Sequence, residues 1–291
     1  MAVLAVQAIR KMRGGAQSQL MLGADGHLWV VKFQNNPQHL RVLANELIVS
    51  RLAEAAGLSV PKSDVIEVTP WLAANSLDLE FELPHGRRER CLPGLHFGSR
   101  FIGGLTPGET VDYLPEPQLE EVRNRSEFAG ILALDKWMGN CNGRQAVFTR
   151  KPRERRYTAT FIDQGFCFNA GEWSFPDSPL RGVYARNSVY AGVTGWSSFS
   201  PWLERLEQMP PETLWEIAES VPPEWYGGDL TTIERLTEQL LKRRSRIREL
   251  ILSFRDSSRA PFPLWTTSTA VAVPQSFTQP ATSGISKDFL M

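Results

Sequence analysis

The chain has 291 residues, 42% hydrophobic and 22% charged, with 32 Lys and Arg against 32 Asp and Glu. Such a length carries one large domain or two lobes around a sizeable core. The zero formal net charge and the apolar content argue against disorder throughout and against a protein devoted to coating nucleic acid or an anionic membrane, each of which needs a charge excess.

Three cysteines (Cys91, Cys141, Cys167) lie far apart with no Cys-x-x-Cys pair, so they read as reduced thiols rather than a disulfide framework or a zinc cage. The first residues place a short apolar stretch before Arg10, Lys11 and Arg13, the reverse of a secretory signal. No run approaches the ~18 apolar residues of a membrane helix. The expectation is a cytoplasmic protein with no membrane partner.

In chain order, Val3 to Met12, Leu20 to Leu22 and His27 to Phe33 are apolar runs separated by Gly14-Gly15 and by Asp25-Gly26, which predicts an antiparallel meander. Leu40, Leu43, Ala44, Leu47, Ile48 and Leu52 then recur at helical spacing up to Gly57, predicting an amphipathic helix. Strands are expected at Asp64 to Val68, Leu77 to Leu83 and His96 to Gly104, the glycines of the last suiting a backbone that passes close to a neighbour. Pro, Gly and Thr gather between Leu105 and Pro117, and a lobe boundary is placed there. Beyond it, helices are expected at Asn124 to Met138, Trp202 to Glu207, Pro211 to Ser220 and Leu230 to Arg255, with short strands at Ala146 to Thr149 and Tyr157 to Ile162. Lys242 to Arg246 reads as a solvated basic face, an RNA or phosphate contact being the lesser alternative. The Ser, Thr and Pro-rich residues from Ser257 read as a disordered tail. The chain thus divides into 1–104, 105–256 and 257–291.

Several residues could carry chemistry. Strand alternation puts Lys32 on the face of Val30 and Leu28, where its ammonium needs a counter-charge or an anionic ligand unless it snorkels from an edge. Glu46, fourteen residues on, lies roughly 60° around the helix from Leu43, at the margin of the apolar stripe. Gly14, Gly15, Ala16, Gln17 and Ser18 join two strands and read either as a plain turn or as a loop offering N–H groups to phosphate. The strand ending Ile162-Asp163-Gln164-Gly165 presents a carboxylate suited to Mg²⁺, or an ordinary Asp turn. Gly139-Asn140-Cys141-Asn142-Gly143-Arg144 is a polar loop between a helix end and a strand. Neither a Walker Gly-Lys-Ser/Thr, nor a His-x-x-x-His pair, nor Gly-x-Ser-x-Gly occurs.

Taken in order, the glycine hairpin, Val30-Val31-Lys32, helix Glu46, the Gly98-Ser99 strand, the Asn140 to Arg144 loop and Ile162-Asp163-Gln164-Gly165 resemble the HipA-like kinases. The resemblance implies an α+β, two-lobed, protein-kinase-like fold, with an antiparallel-sheet amino lobe and a mainly helical carboxyl lobe. It implies an ATP- and Mg²⁺-dependent phosphotransferase acting on an unidentified protein's hydroxyl. In that scheme Lys32 contacts nucleotide phosphates, Glu46 orients Lys32, Gly14 to Ser18 cover the phosphates, Phe97, Gly98 and Ser99 lie near the adenine, and Asp163 binds Mg²⁺. Asn140, Asn142 and Arg144 are the catalytic-loop candidates, Asn142 also as a metal ligand. The family pattern has an Asp where this chain has Asn142 and a metal-binding Asn where it has Val147. An amide accepts no proton near neutral pH, so the alternative is a nucleotide-binding pseudokinase acting as a switch or partner module.

Overall fold

The computed structural model describes residues 1–103 and 106–265. The expected lobe boundary at 104/105 and residues 266–291 of the expected tail lie outside the described residues.

The amino-terminal region opens with the expected meander: β1 (Val3–Lys11), β2 (Gln19–Gly23) and β3 (Leu28–Lys32). After it come α1 (Val42–Ala55), β4 (Ser63–Val68), α2 (Pro70–Asn75), the hairpin β5 (Glu80–Glu82) with β6 (Arg88–Arg90), and β7 (Gly94–Arg100). The sheet is not antiparallel throughout. β1 runs parallel to β4, Val3 opposite Ile66 and Leu4 opposite Glu67, and closes a five-stranded barrel in the order β1-β2-β3-β7-β4. A parallel pair needs a long crossover, and the intervening chain with α1 supplies one. Register shifts in β1 between Ala5 and Gln7 and between Ala8 and Arg10 let that strand bend around the barrel. Met21, Val31 and Ile66 are fully buried in the cluster this sheet encloses. Closure also explains Gly98: a Cβ there would lie 2.3 Å from Ile66 Cγ1, so the close neighbour of β7 is a barrel side chain.

Two local readings change. The strand expected at Leu77 to Leu83 forms only at Glu80–Glu82. Ahead of it, Thr69 accepts a hydrogen bond from Leu72 N (3.1 Å) and Pro70 opens α2, a cap-plus-proline start that the apolar alternation masked. Leu40 is exposed and lies ahead of α1, whose residues are buried nearly all round. The helix is sandwiched by β4 and β7 on one side and by helices of the following region on the other, so it has no solvent face of the amphipathic kind.

That region holds β8 (Thr110–Val111), α3 (Glu116–Glu120), α4 (Glu127–Met138), β9 (Gln145–Thr149), β10 (Thr158–Ile162), α5 (Trp202–Glu207), α6 (Pro211–Glu219), α7 (Leu230–Arg243) and α8 (Ile247–Arg255). α4 is its buried axis and ends at Gly139, whose φ of +58° is left-handed. β9 and β10 pair antiparallel, Gln145 opposite Ile162 and Val147 opposite Thr160.

The helix expected from Leu230 to Arg255 is broken at Arg244–Arg246 by a 3-10 turn. The basic cluster lies at this break, and it is no uniformly solvated face. Arg243 is buried and donates to the carbonyls of Lys136 (3.0 Å) and Trp137 (2.8 Å) at the end of α4 and to Asp177. Arg244 donates to Met209 O, and Arg246 to Asp177 (2.9 Å) and Glu249. These cations fasten α7 and α8 to their surroundings. Part of residues 257–265, placed in the tail by composition, is packed: Phe262 is buried against Tyr190, Phe199 and Phe254, and Trp265 meets Trp196 edge to face. Among the described residues no helix is long and apolar enough to cross a membrane.

Candidate active site

A cleft of about 490 Å³ opens between the barrel and the β9–β10 hairpin, within the size range of small-molecule sites. Lys32 reaches it from the end of β3, Glu46 from the middle of α1, and Asp163 from the turn after β10. Lys32 Nζ is bonded to Glu46 Oε1 and lies 2.8 Å from Asp163 Oδ1. The three side chains are 10%, 3% and 20% exposed, so these are interior interactions with a window on the cleft. Burial alone would lower the lysine's pKa, but Glu46 and Asp163 outweigh it and hold the ammonium charged. Burial pushes the Glu46 carboxyl up against the pull of Lys32, with the charge of Asp163 adding to the rise. Asp163 ends below its ordinary value, because Lys32 overcomes the cost of burial.

Glu46 has a second task. Its oxygens accept the backbone N–H groups of Gln164 and Gly165, both at 3.0 Å, so the helix holds the Asp-x-Gly turn directly. Asn45, next to it, donates to the carbonyls of Gly165 (2.8 Å), Cys167 (2.9 Å) and Ala170 (2.9 Å) and accepts from Trp173 Nε1 (2.7 Å). The turn is demanding. Asp163 itself has a φ of +65°, which a short polar side chain tolerates, and a Cβ on Gly165 would come within 2.6 Å of Val42. Asn45 was invisible to hydrophobic periodicity, which marks a buried face but not which polar residue on it makes hydrogen bonds.

Over the opposite wall lies the loop Gly14 to Ser18. Gly14 needs its glycine, with φ +116°, and Asn36 Nδ2 ties the loop down through Ala16 O (2.9 Å). The amides of Gly14, Gly15 and Ala16 donate to no acceptor among the described residues, which leaves them for an external anion. Gly14, Gly15, Ala16 and Ser18 line the cleft. Gln17 turns the other way and exchanges hydrogen bonds with the backbone of Glu82. In β7 the pairing of Lys32 with Phe97 and Val30 with Ser99 puts Phe97 and Ser99 on the cleft face and Gly98 on the other. Val30, Phe97, Phe101, Ile102 and Phe161 make an apolar end to the cleft, and Arg13 and Arg100, not singled out from the sequence, also line it.

The loop after α4 behaves differently from expectation. Arg144 is buried, donating from Nε to Asp135 Oδ2 (2.8 Å), from Nη2 to Asp135 Oδ1, and from Nη1 to Ile162 O (2.8 Å). Asn140 is buried too, donating to Asp135 Oδ1 (2.8 Å) and accepting from Asn142 N (3.0 Å). Neither lines the cleft, so Asn140 and Arg144 are held in the scaffold of the loop rather than presented to a substrate. Asn142 and Val147 do line it, with Asn142 Oδ1 accepting from Gly143 N (2.8 Å). Gln145, unassigned from the sequence, donates from Nε2 to Asp163 Oδ2 (2.8 Å).

Among the described residues no three His, Cys, Asp or Glu side chains gather as a metal cluster. One carboxylate with amide side chains nearby, open to a cleft that also exposes unengaged backbone amides, fits a hard cation that completes its shell with water and other oxygen ligands, as Mg²⁺ does. Asp163 is the carboxylate that could hold it.

Comparison with known proteins adds to this geometry. The sequence matches the HipA-like kinase family over residues 5–149. A search of curated proteins gives no match. The fold is similar to that of the Helicobacter pylori proinflammatory kinase CtkA, with a TM-score of 0.54 and 13% identity over 89% of this chain and 100% of that one. Lower scores relate it to the Golgi casein kinase with Mn/ADP bound (TM-score 0.48, 13% identity, 88% of this chain and 73% of that one). The HipA of a Shewanella oneidensis toxin-antitoxin complex scores 0.40, with 16% identity over 79% of this chain and 60% of that one. The fold is a mixed α and β kinase-like one.

Proposed function

Starting from a chain that matches the HipA-like kinase family, we propose an ATP- and Mg²⁺-dependent phosphotransferase whose acceptor is a protein hydroxyl. The observation that carries the proposal is the convergence of Lys32, Glu46 and Asp163 on one cleft roofed by unengaged loop amides. In this reading residues 1–104 and 105–256 are the two lobes and the cleft lies between them. The three free cysteines fit a reducing, cytoplasmic setting.

The adenine fits the apolar end beside Phe97 and Phe161. Gly14, Gly15 and Ala16 offer N–H groups to the phosphates, and Lys32 turns the ammonium donor not used by Glu46 and Asp163 toward them. Glu46 keeps Lys32 in place, and Asp163 holds Mg²⁺, which when bound neutralises charge on the phosphate oxygens. Asn142 occupies the position of the general base and can accept a hydrogen bond but no proton. Transfer through a loose transition state depends mainly on positioning and charge, so slow transfer without that base is consistent.

Asn142 and Val147 support a second reading, a nucleotide-binding pseudokinase serving as a switch. Glu46 and Asp163 are the only carboxylates among the described residues lining the cleft, and both are engaged by Lys32. Single-turnover transfer from labelled ATP decides between them. The kinase reading expects incorporation that drops ~10²-fold or more in Lys32→Met and Asp163→Asn, a loss of roughly 2.7 kcal/mol or more in transition-state stabilisation. Equal incorporation in all three proteins would overturn it. Thermal stabilisation by nucleotide with no transfer would assign the pseudokinase.

A further inference from the structure

We propose that Gln145 is the second protein ligand of the divalent cation held by Asp163, supplying from one register nearer the amide oxygen that Val147 cannot supply. The inference rests on the nucleotide-and-metal reading above and adds a residue to it. β9 alternates, so Gln145 and Val147 share a face, and both line the cleft. Gln145 pairs with Ile162, the neighbour of Asp163, whereas Val147 pairs with Thr160, a step further down the hairpin. The longer side chain therefore starts at the rung nearer the carboxylate.

The two oxygens of Asp163 are not equivalent. Oδ1 is 2.8 Å from Lys32 Nζ, and Oδ2 is 2.8 Å from Gln145 Nε2. A cation approaching the oxygen that Lys32 leaves meets the Gln145 amide. Turning that amide about its terminal bond exchanges a donor for a neutral hard oxygen, the kind of ligand Mg²⁺ and Mn²⁺ accept. The other amides of the loop are committed elsewhere: Asn140 to Asp135 and to Asn142 N, and Asn142 Oδ1 to Gly143 N. Gln145 Oε1 accepts from no group among the described residues and the side chain is exposed, so the one bond that the turn gives up is the Nε2 contact with Asp163, whose oxygen the cation takes over.

The test uses Mn²⁺ with ADP on the full chain, following bound Mn²⁺ by electron paramagnetic resonance and ADP by calorimetry with and without the metal. Gln145→Ala is expected to weaken Mn²⁺ binding by about 10-fold or more. ADP affinity without metal and the thermal midpoint are expected to stay as in wild type. Gln145→Ala combined with Val147→Asn is expected to recover part of the Mn²⁺ affinity, because the ligand is returned one rung along. Mn²⁺ affinity in Gln145→Ala within twofold of wild type overturns the assignment. So does an equal loss of ADP binding in the absence of metal, since Gln145 would then be a nucleotide contact. Wild-type protein that binds no Mn²⁺ with ADP overturns the nucleotide reading itself, an outcome separate from any difference between variants.

Discussion

Two buried clusters of charge meet at the open end of the β9–β10 hairpin, Arg144 just before β9 and Asp163 just after β10, and they are built to opposite plans. Asp135 and Arg144 are one anion and one cation, both side chains 0% exposed. Asn140 and the carbonyl of Ile162 take up remaining hydrogen-bonding capacity. That cluster is closed and holds the loop in shape. Lys32, Glu46 and Asp163 place two carboxylates around one ammonium and open on a cleft. An uneven charge count at a window to solvent is a demand for a further cation, whereas an even count sealed from water makes no demand. A carboxylate's role here follows from what it lacks, not from its proximity to the loop.

The contrast can be broken by substitution. Arg144→Met leaves Asp135 buried without its cation, and the expected cost is about 3–5 kcal/mol, read from the shift in denaturant midpoint. Lys32→Met is expected to cost at most about half of that, because Glu46, whose pKa burial already raises, can take up a proton once the ammonium is gone, and Asp163 stays partly open to the cleft. Equal losses would mean that both clusters are scaffolding. Next in size is Asn142→Asp, which restores a proton acceptor on the cleft face and should raise the single-turnover rate ~10²-fold or more. No gain would show that the loop does not place this position at the acceptor hydroxyl.

The smallest effect tests a site away from both clusters. His96 is buried beside Phe33, accepts Gln34 N at Nδ1 (3.1 Å) and donates from Nε2 to Leu92 O (2.9 Å), an arrangement that needs the neutral ring. Burial pushes its pKa down to about 4. As pH falls through ~6.5 the unfolded chain takes up a proton that the folded one refuses until near its own pKa, so stability declines over that interval, by about 2 kcal/mol at pH 5. Urea midpoints at pH 7 and pH 5 should show the loss in wild type and a flatter response in His96→Gln. A pH dependence that survives the substitution would place its origin in the carboxylate clusters instead.

Much of the site was legible because charge on an apolar run is rare. Lys32 stood out on its strand, Glu46 at the edge of its stripe, and Asp163 at a strand end before a glycine, and the structure brings all three to one place. Periodicity also gave α5 and α6 nearly to the residue, since each buries one face. What stayed hidden depended on partners distant in sequence. Nothing in Lys242 to Arg246 announces that Arg243 will reach the last carbonyls of α4, and nothing in β1 announces a parallel seam with β4. Gln145 could have been found by counting back along the strand from Val147. Arg144 could not have been assigned to Asp135 rather than Asp163 without distances.

The bonds from α1 and the residues just ahead of it to the segment after β10 make a mechanical unit. Glu46 grips two amides of that segment, Asn45 three of its carbonyls, His39 the carbonyl of Gly165 and Arg41 that of Gly171. A kinase-like fold that regulated itself by swinging its helix while leaving Asp163 behind would have to tear this stitching. Here the helix is a lever bolted to its load: any partner that tilts α1 drags Asp163 along with Lys32's anchor, and the whole electrostatic triangle shifts as one piece.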